Sequence, residues 1–192
     1  MNDLWVFGYG SLMWRPGFAF DAAIPAQLDG AHRSLCVYSV VHRGSRRRPG
    51  LVLGLDAGGS CHGLAFRVRA GDERRTRMYL KAREQVTRVY REVNRQVHLF
   101  DGGGTNVRAL CFLVDNTHRQ YAGKLPLSEQ AHLVRHGEGR SGPNTEYVAN
   151  TVRHLSGLEI DEPQLRRLLP LVGVRNNVLS ALPCQRDMSI EI

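Results

Sequence analysis

Leu4-Trp5-Val6-Phe7-Gly8-Tyr9-Gly10-Ser11-Leu12-Met13 is the stretch from which this chain is best read. Its first four residues form an apolar run with the character of a buried strand. Gly8 and Gly10 then force a sharp change of direction. A residue without Cβ accepts positive φ and lets backbone N–H groups come close to a ligand. Consecutive N–H groups in such a turn form a concavity for carboxylates or oxyanions. Gly8, Tyr9, Gly10, Ser11, Leu12 and Met13 are therefore a candidate for holding a small anionic substrate through the backbone. The same residues also read as a plain strand-to-strand turn.

Further along, Ser34–Val41 is apolar on both alternating faces, as in a central strand. Leu51–Leu55 and Leu64–Val68 read as short strands separated by a turn from Asp56 to Ser60. Asp72 is a good N-cap for a helix whose stripe is Met78, Ala82 and Val86, with Leu80 nearby and arginines outside. Val89–Phe100 fits either period, with about residues 92–100 as the strand if a hairpin forms. The turn Asp101-Gly102-Gly103-Gly104 and the strand Val107–Val114 beyond it favour a hairpin. The last third is helical. Ser128 caps a helix running to about His136, and Asn144 caps another that ends at Gly157. Leu165–Val172 forms a third, interrupted by Pro170. Strands first and helices after argue an α+β fold. The 192 residues suit one domain, 1–192, with a helical C-terminal extension over about residues 160–192.

A net charge of +8 points to nucleic acid, an anionic surface or an acidic small substrate. Most of the arginines are spread along the chain. The dense cluster Arg43, Arg46, Arg47 and Arg48 has no interleaved aromatics, as a groove for single strands requires. No helix-turn-helix, zinc-finger or RNP motif appears, which argues against nucleic acid. A basic nucleic-acid-binding module remains the alternative from another class. No apolar run approaches the ~18–20 residues of a membrane span, and no basic-then-apolar leader is visible. Cys36, Cys61, Cys111 and Cys184 match neither a zinc site nor a disulfide framework. A reducing cytoplasm and no membrane partner are the expectation. Oligomeric state is not legible.

Glu84 stands out for chemistry. Tyr79, Leu80 and Ala82 suggest that its end of the helix is packed, and a desolvated carboxylate has a raised pKa suited to proton transfer. The alternative is a solvated pair with Arg88 or Arg91. Other motifs carry less. Gly137–Gly142 matches G-x-G-x-x-G but follows a helix, so it reads as a loop. His132 and His136 have zinc spacing but no third ligand, so no metal is expected. Ser11 lacks the nucleophile-elbow context of a serine hydrolase. His42-Arg43 follows the central strand and is placed to face a site or solvent.

Together these pieces resemble the ChaC family of γ-glutamylcyclotransferases. The resemblance covers about Trp5 to Leu155. It rests on Trp5–Phe18, on Ser39-Val40-Val41-His42-Arg43-Gly44 followed by Pro49-Gly50, and on Gly63–Val68. It continues through Arg83-Glu84, Asp115-Asn116, Tyr121-Ala122-Gly123 and Gly142-Pro143-Asn144-Thr145-Glu146-Tyr147, all in the family's order. Two places depart from the pattern. Many relatives have Gly-Gly-Tyr after the Arg-Glu pair, where this chain reads Val86-Thr87-Arg88-Val89-Tyr90. Arg46–Arg48 stands where relatives are often less basic.

The resemblance implies a barrel-like mixed sheet with an inserted helix and C-terminal helices. It implies cleavage of a γ-glutamyl peptide, glutathione foremost, to 5-oxoproline and Cys-Gly, with no cofactor. Other γ-glutamyl amines or amino acids are the alternative substrates. Glu84 would be the proton carrier, and Gly8–Met13, Arg43 and Tyr147 would bind substrate.

Overall fold

The computed structural model describes residues 3–84 and 87–174. Five strands close into a barrel in the order β1-β3-β2-β4-β5, with β5 returning to β1 and β3. They are β1 (Trp5–Gly8), β2 (Phe20–Ser39), β3 (Gly50–Val68), β4 (Tyr90–Leu99) and β5 (Asn106–Val114). Between β3 and β4 lies α1 (Glu73–Glu84). After β5 come α2 (Leu127–His136), the two-residue strands β6 (Glu138–Gly139) and β7 (Gly142–Pro143), α3 (Asn144–Gly157) and α4 (Pro163–Leu171).

The barrel is built largely from one hairpin. β2 and β3 pair antiparallel from Phe20↔Val68 to Ser39↔Gly50, with register shifts at Phe20/Ala22, Asp29/Ala31 and Leu35/Val37. Each shift bends the ribbon, which lets so long a pair curl round. The turn expected at Asp56–Ser60 is therefore absent. Asp56, Ala57 and Ser60 stay paired to His32, Ala31 and Asp29. Gly58 and Gly59 take positive φ opposite Gly30, so these glycines make a bulge rather than a chain reversal. The expected central strand Ser34–Val41 is likewise only the end of the longer β2.

β1 is buried on both faces. Phe7 packs inward with Leu53, Leu55, Ala65 and Phe66 in the largest core cluster. Val6 packs the other way, with Leu4, Leu12, Val68, Leu80, Leu110 and Phe112, beneath α1. The buried face of α1 is not the expected stripe, and Ala82 of that stripe is exposed. Thr76 and Leu80 are the helix's buried residues, four apart, whereas Met78 is 65% exposed. Val86 lies outside the described residues. β4 and β5 form the expected hairpin, Tyr90↔Val114 to His98↔Asn106. α2 starts at Leu127 after Pro126, not at a Ser128 cap.

Helices α2, α3 and α4 pack on the main core through Val134, Val148, Val152, Leu155, Leu165, Leu168 and Leu169. Among the described residues no helix is long and apolar enough to cross a membrane.

Candidate active site

A cavity of about 750 Å³ opens where the end of β1, the end of α1, the β2–β3 loop and the start of α3 converge. Tyr9, Gly10, Ser11 and Leu12 form one wall, and Glu84, Tyr90, Arg43 and Tyr147 are among the others. Gly8 and Met13 are not part of the lining; both are buried beneath it. Neither Gly8 nor Gly10 has positive φ, contrary to the conformational reading of that turn. Gly8 is needed for packing instead. A Cβ there would lie 3.1 Å from Phe66 Cε2 and 3.2 Å from Leu12 Cβ. Gly10 leads into a single 3-10 turn, Ser11–Met13, with Met13 N–H donating to Gly10 O at 2.9 Å.

Glu84 is the last residue of α1, and its side chain keeps 16% of its exposure. Desolvation raises its pKa, and the Arg83 guanidinium opposes that shift. Its ion-pair partner is Arg83, with Nε 3.2 Å from Glu84 Oε1, rather than Arg88 or Arg91. Arg83 also donates to Ser11 Oγ at 2.9 Å, to Tyr79 Oη at 2.9 Å and to the carbonyl of Arg15. One guanidinium thus ties the end of α1 to the turn after β1 and sets where the Glu84 carboxylate stands. Ser11 Oγ is engaged by Arg83.

Two tyrosines grip the peptide groups of Leu53 on β3. Tyr90 Oη donates to Leu53 O at 2.7 Å, and Leu53 N–H donates to Tyr147 Oη at 3.1 Å. These bonds polarise the pair. Tyr90 has spent its proton and faces the cavity as an acceptor, whereas Tyr147 keeps its proton as a donor. Burial raises the pKa of both phenols, that of Tyr147 to about 12, so both stay protonated at neutral pH.

Tyr147 is positioned through Asn144, one turn earlier on α3. Asn144 is not an N-cap; Pro143 holds that place. Its fully buried amide instead accepts from Leu51 N–H at 2.6 Å and donates to Leu51 O at 2.8 Å, as a paired strand residue would. The backbones here touch. A Cβ on Gly50 would lie 2.1 Å from Arg43 O, and one on Gly139 would lie 2.5 Å from Val41 O. Arg140 and Ser141 N–H donate to Val41 O and His42 O at 2.9 Å each. The formal G-x-G-x-x-G segment is thus a clamp on the His42-Arg43-Gly44 loop. It holds Arg43 with its guanidinium 5.7 Å from the Tyr147 ring centre and 3.1 Å from Pro143 O.

Among the described residues Arg15, Arg43 and Arg83 line the cavity against one carboxylate, Glu84. That balance suits an anionic ligand. Among the described residues no three His, Cys, Asp or Glu side chains are grouped to hold a metal ion. Tyr90, Arg15 and Ser141 had no place in the sequence-based site. They come from three separate segments, and only the barrel closure brings them together.

The fold is that of the γ-glutamylcyclotransferases. The crystal structure of a yeast γ-glutamyl cyclotransferase specific to glutathione matches 92% of this chain and 99% of its own, with a TM-score of 0.80 at 22% identity. The family model described as ChaC-like protein matches residues 4–175, and this chain belongs to that family. It is 32% identical over 168 residues to the glutathione-specific gamma-glutamylcyclotransferase of Escherichia coli (strain K12), covering 88% of this chain and 72% of that protein. It is 30% identical over 185 residues to glutathione-specific gamma-glutamylcyclotransferase 1 of Homo sapiens, covering 94% and 81%.

Proposed function

We propose that this chain is a cytoplasmic, glutathione-specific γ-glutamylcyclotransferase acting as one domain over residues 1–192. The observation that carries the reading is Glu84, a desolvated carboxylate with a raised pKa in a cavity otherwise charged by arginines. The relatives named above support the substrate. The buried thiols Cys36, Cys61 and Cys111, none in a disulfide, suit a reducing compartment.

The α-amine of the γ-glutamyl group attacks its own γ-carbonyl carbon. A C–N bond closes the five-membered lactam, and the bond from that carbon to the cysteine nitrogen breaks. The products are 5-oxoproline and Cys-Gly. Two protons pass from the attacking nitrogen to the departing one, and Glu84 carries them in turn. Such proton transfer contributes about 10²–10⁴-fold. The nucleophile is tethered, so holding it in a near-attack geometry supplies effective molarities of about 10⁵–10⁸ M.

Tyr9, Gly10, Ser11 and Leu12, supported from below by Gly8 and Met13, hold the γ-glutamyl group. Tyr90 accepts a hydrogen bond from its α-nitrogen. Tyr147 donates to its carboxylate or to the developing oxyanion. Arg43 faces the glycine carboxylate. The test is incubation of the purified protein with glutathione, following both products. We expect turnover by the wild type and a loss of at least about 10²-fold in Glu84→Gln, with substrate binding retained. Undiminished 5-oxoproline release by the variant removes Glu84 from the mechanism.

A further inference from the structure

Arg33 lies outside the cavity lining, yet it holds part of its wall. It sits on β2 with a side chain only 1% exposed. Its Nε–H donates to the carbonyl of Tyr9 at 2.6 Å, and its Nη2 donates to the carbonyl of His62. Its Nη1 pairs with Glu162, the residue immediately before α4. We infer that Arg33 is a positioning residue that locks the Tyr9–Gly10 peptide plane, with Glu162 fixing the guanidinium from the α4 side.

The peptide is trans and planar, so the C=O of Tyr9 and the N–H of Gly10 point in opposite directions. Arg33 draws the carbonyl into the protein interior. Gly10 is a lining residue of the cavity, and the inferred lock leaves its N–H, opposite that carbonyl, on the ligand side. Gly10 sits at φ −138° and ψ −132°, and a glycine here offers little steric resistance to rotation of the preceding peptide. A flipped peptide would put the Tyr9 carbonyl into a cavity meant for an anion. The lock therefore comes from Arg33 and not from the local chain. A planar fork with five donors meets Tyr9 O, His62 O and Glu162 together, which a lysine ammonium on its flexible stem does not.

This inference rests on the cyclotransferase reading for its kinetic consequence but not for its structural one. The test compares Arg33→Lys and Glu162→Gln with the wild type, using glutathione turnover across pH and a crystal structure of Arg33→Lys. Arg33→Lys is expected to raise KM at least about 10-fold and Glu162→Gln to raise it less. The acid limb of kcat/KM, which Glu84 sets, stays in place for both. The crystal structure of Arg33→Lys is expected to show the Tyr9 carbonyl turned towards the cavity. An Arg33→Lys protein with wild-type KM and an unturned carbonyl overturns the inference. So does an acid limb displaced together with a lowered Tm, because that marks general loosening around Glu84. If the wild type releases no 5-oxoproline, the cyclotransferase reading falls, and the carbonyl orientation in Arg33→Lys still decides the lock.

Discussion

Glu84 sets opposite demands on stability and activity, and the sign follows from its raised pKa. The folded protein keeps this proton to a higher pH than the unfolded chain does. Above the folded pKa the fold carries a buried charge at a cost. That cost shrinks as pH falls through the folded pKa and vanishes below the ordinary carboxylate range. Glutamine keeps the shape without the charge. Glu84→Gln is thus expected to melt above the wild type at neutral pH, with the gap closing on acidification; paired thermal melts from pH 7 to pH 3 measure this. A wider gap at low pH contradicts the assignment of desolvation as the dominant cause. In the same enzyme, kcat/KM should fall on the acid side with a midpoint above that of an ordinary carboxylate, since the base must be ionised to accept a proton. Glu84 is legible in the sequence through the Arg83-Glu84 pair of the family resemblance, because the local residues leave a packed end and a solvated pair both open; Leu80 is buried there and Ala82 is exposed. Its ion-pair partner is not, because Arg83 reaches it only by leaning on Ser11 and the Arg15 carbonyl, which are distant in the chain.

Asn144 shows how an element can be recognised while the reason for it is missed. An asparagine ahead of a helical stripe reads as an N-cap, yet α3 already begins at Asn144 and Pro143 holds the cap position. The side chain instead extends the edge of β3, which only the tertiary fold could reveal. Asn144→Ala leaves the N–H and C=O of Leu51 without these partners in a buried setting, at about 1–3 kcal/mol for an unsatisfied group. Denaturant unfolding should show that loss. Turnover should fall further than stability, because Tyr147 rides on the same helix. The long hairpin β2–β3 looks like separate short strands in the sequence for a related reason. Glycines that signal turns in short strands serve as bulges in strands of 20 and 19 residues. The connection after α1 carries the opposite case. Aligned on Tyr90, Arg88 stands at the first glycine of the family's Gly-Gly-Tyr, and it takes φ 60°. Left-handed backbone costs a side-chain-bearing residue roughly 1–2 kcal/mol. Arg88 is exposed, whereas Val89, at the second glycine, is 2% exposed and packs with Cys36, Val37 and Val114. Arg88→Gly should therefore raise stability by about 1 kcal/mol with little change in kcat, while Val89→Gly should lower it.

At the scale of the molecule, α4 shares the largest apolar cluster, packed there against α2 and α3. Its Leu168 and Leu169 are fully buried, and they join Phe7, Leu53, Val134 and Val148 in one cluster. The same helix is preceded by Glu162, which reaches Arg33 and through it the carbonyl of Tyr9 at the cavity. A helix joined to the core at both an apolar face and an ion pair has no reason to unfold first. The expectation is one cooperative transition, with circular dichroism, fluorescence and calorimetric enthalpy agreeing on a single midpoint. Leu168→Ala tests the coupling most directly. Emptying a fully buried leucine costs about 2–5 kcal/mol. In a single cooperative unit that loss lowers the midpoint seen by every probe, including the fluorescence of Trp5 on β1 and Trp14, which lies past the turn that follows β1. If α4 were an independent appendage, the variant would lose helical signal early while tryptophan fluorescence and glutathione turnover kept their wild-type midpoints. That outcome would break the one-domain reading of residues 1–192 and confine the active unit to the barrel, α1, α2 and α3.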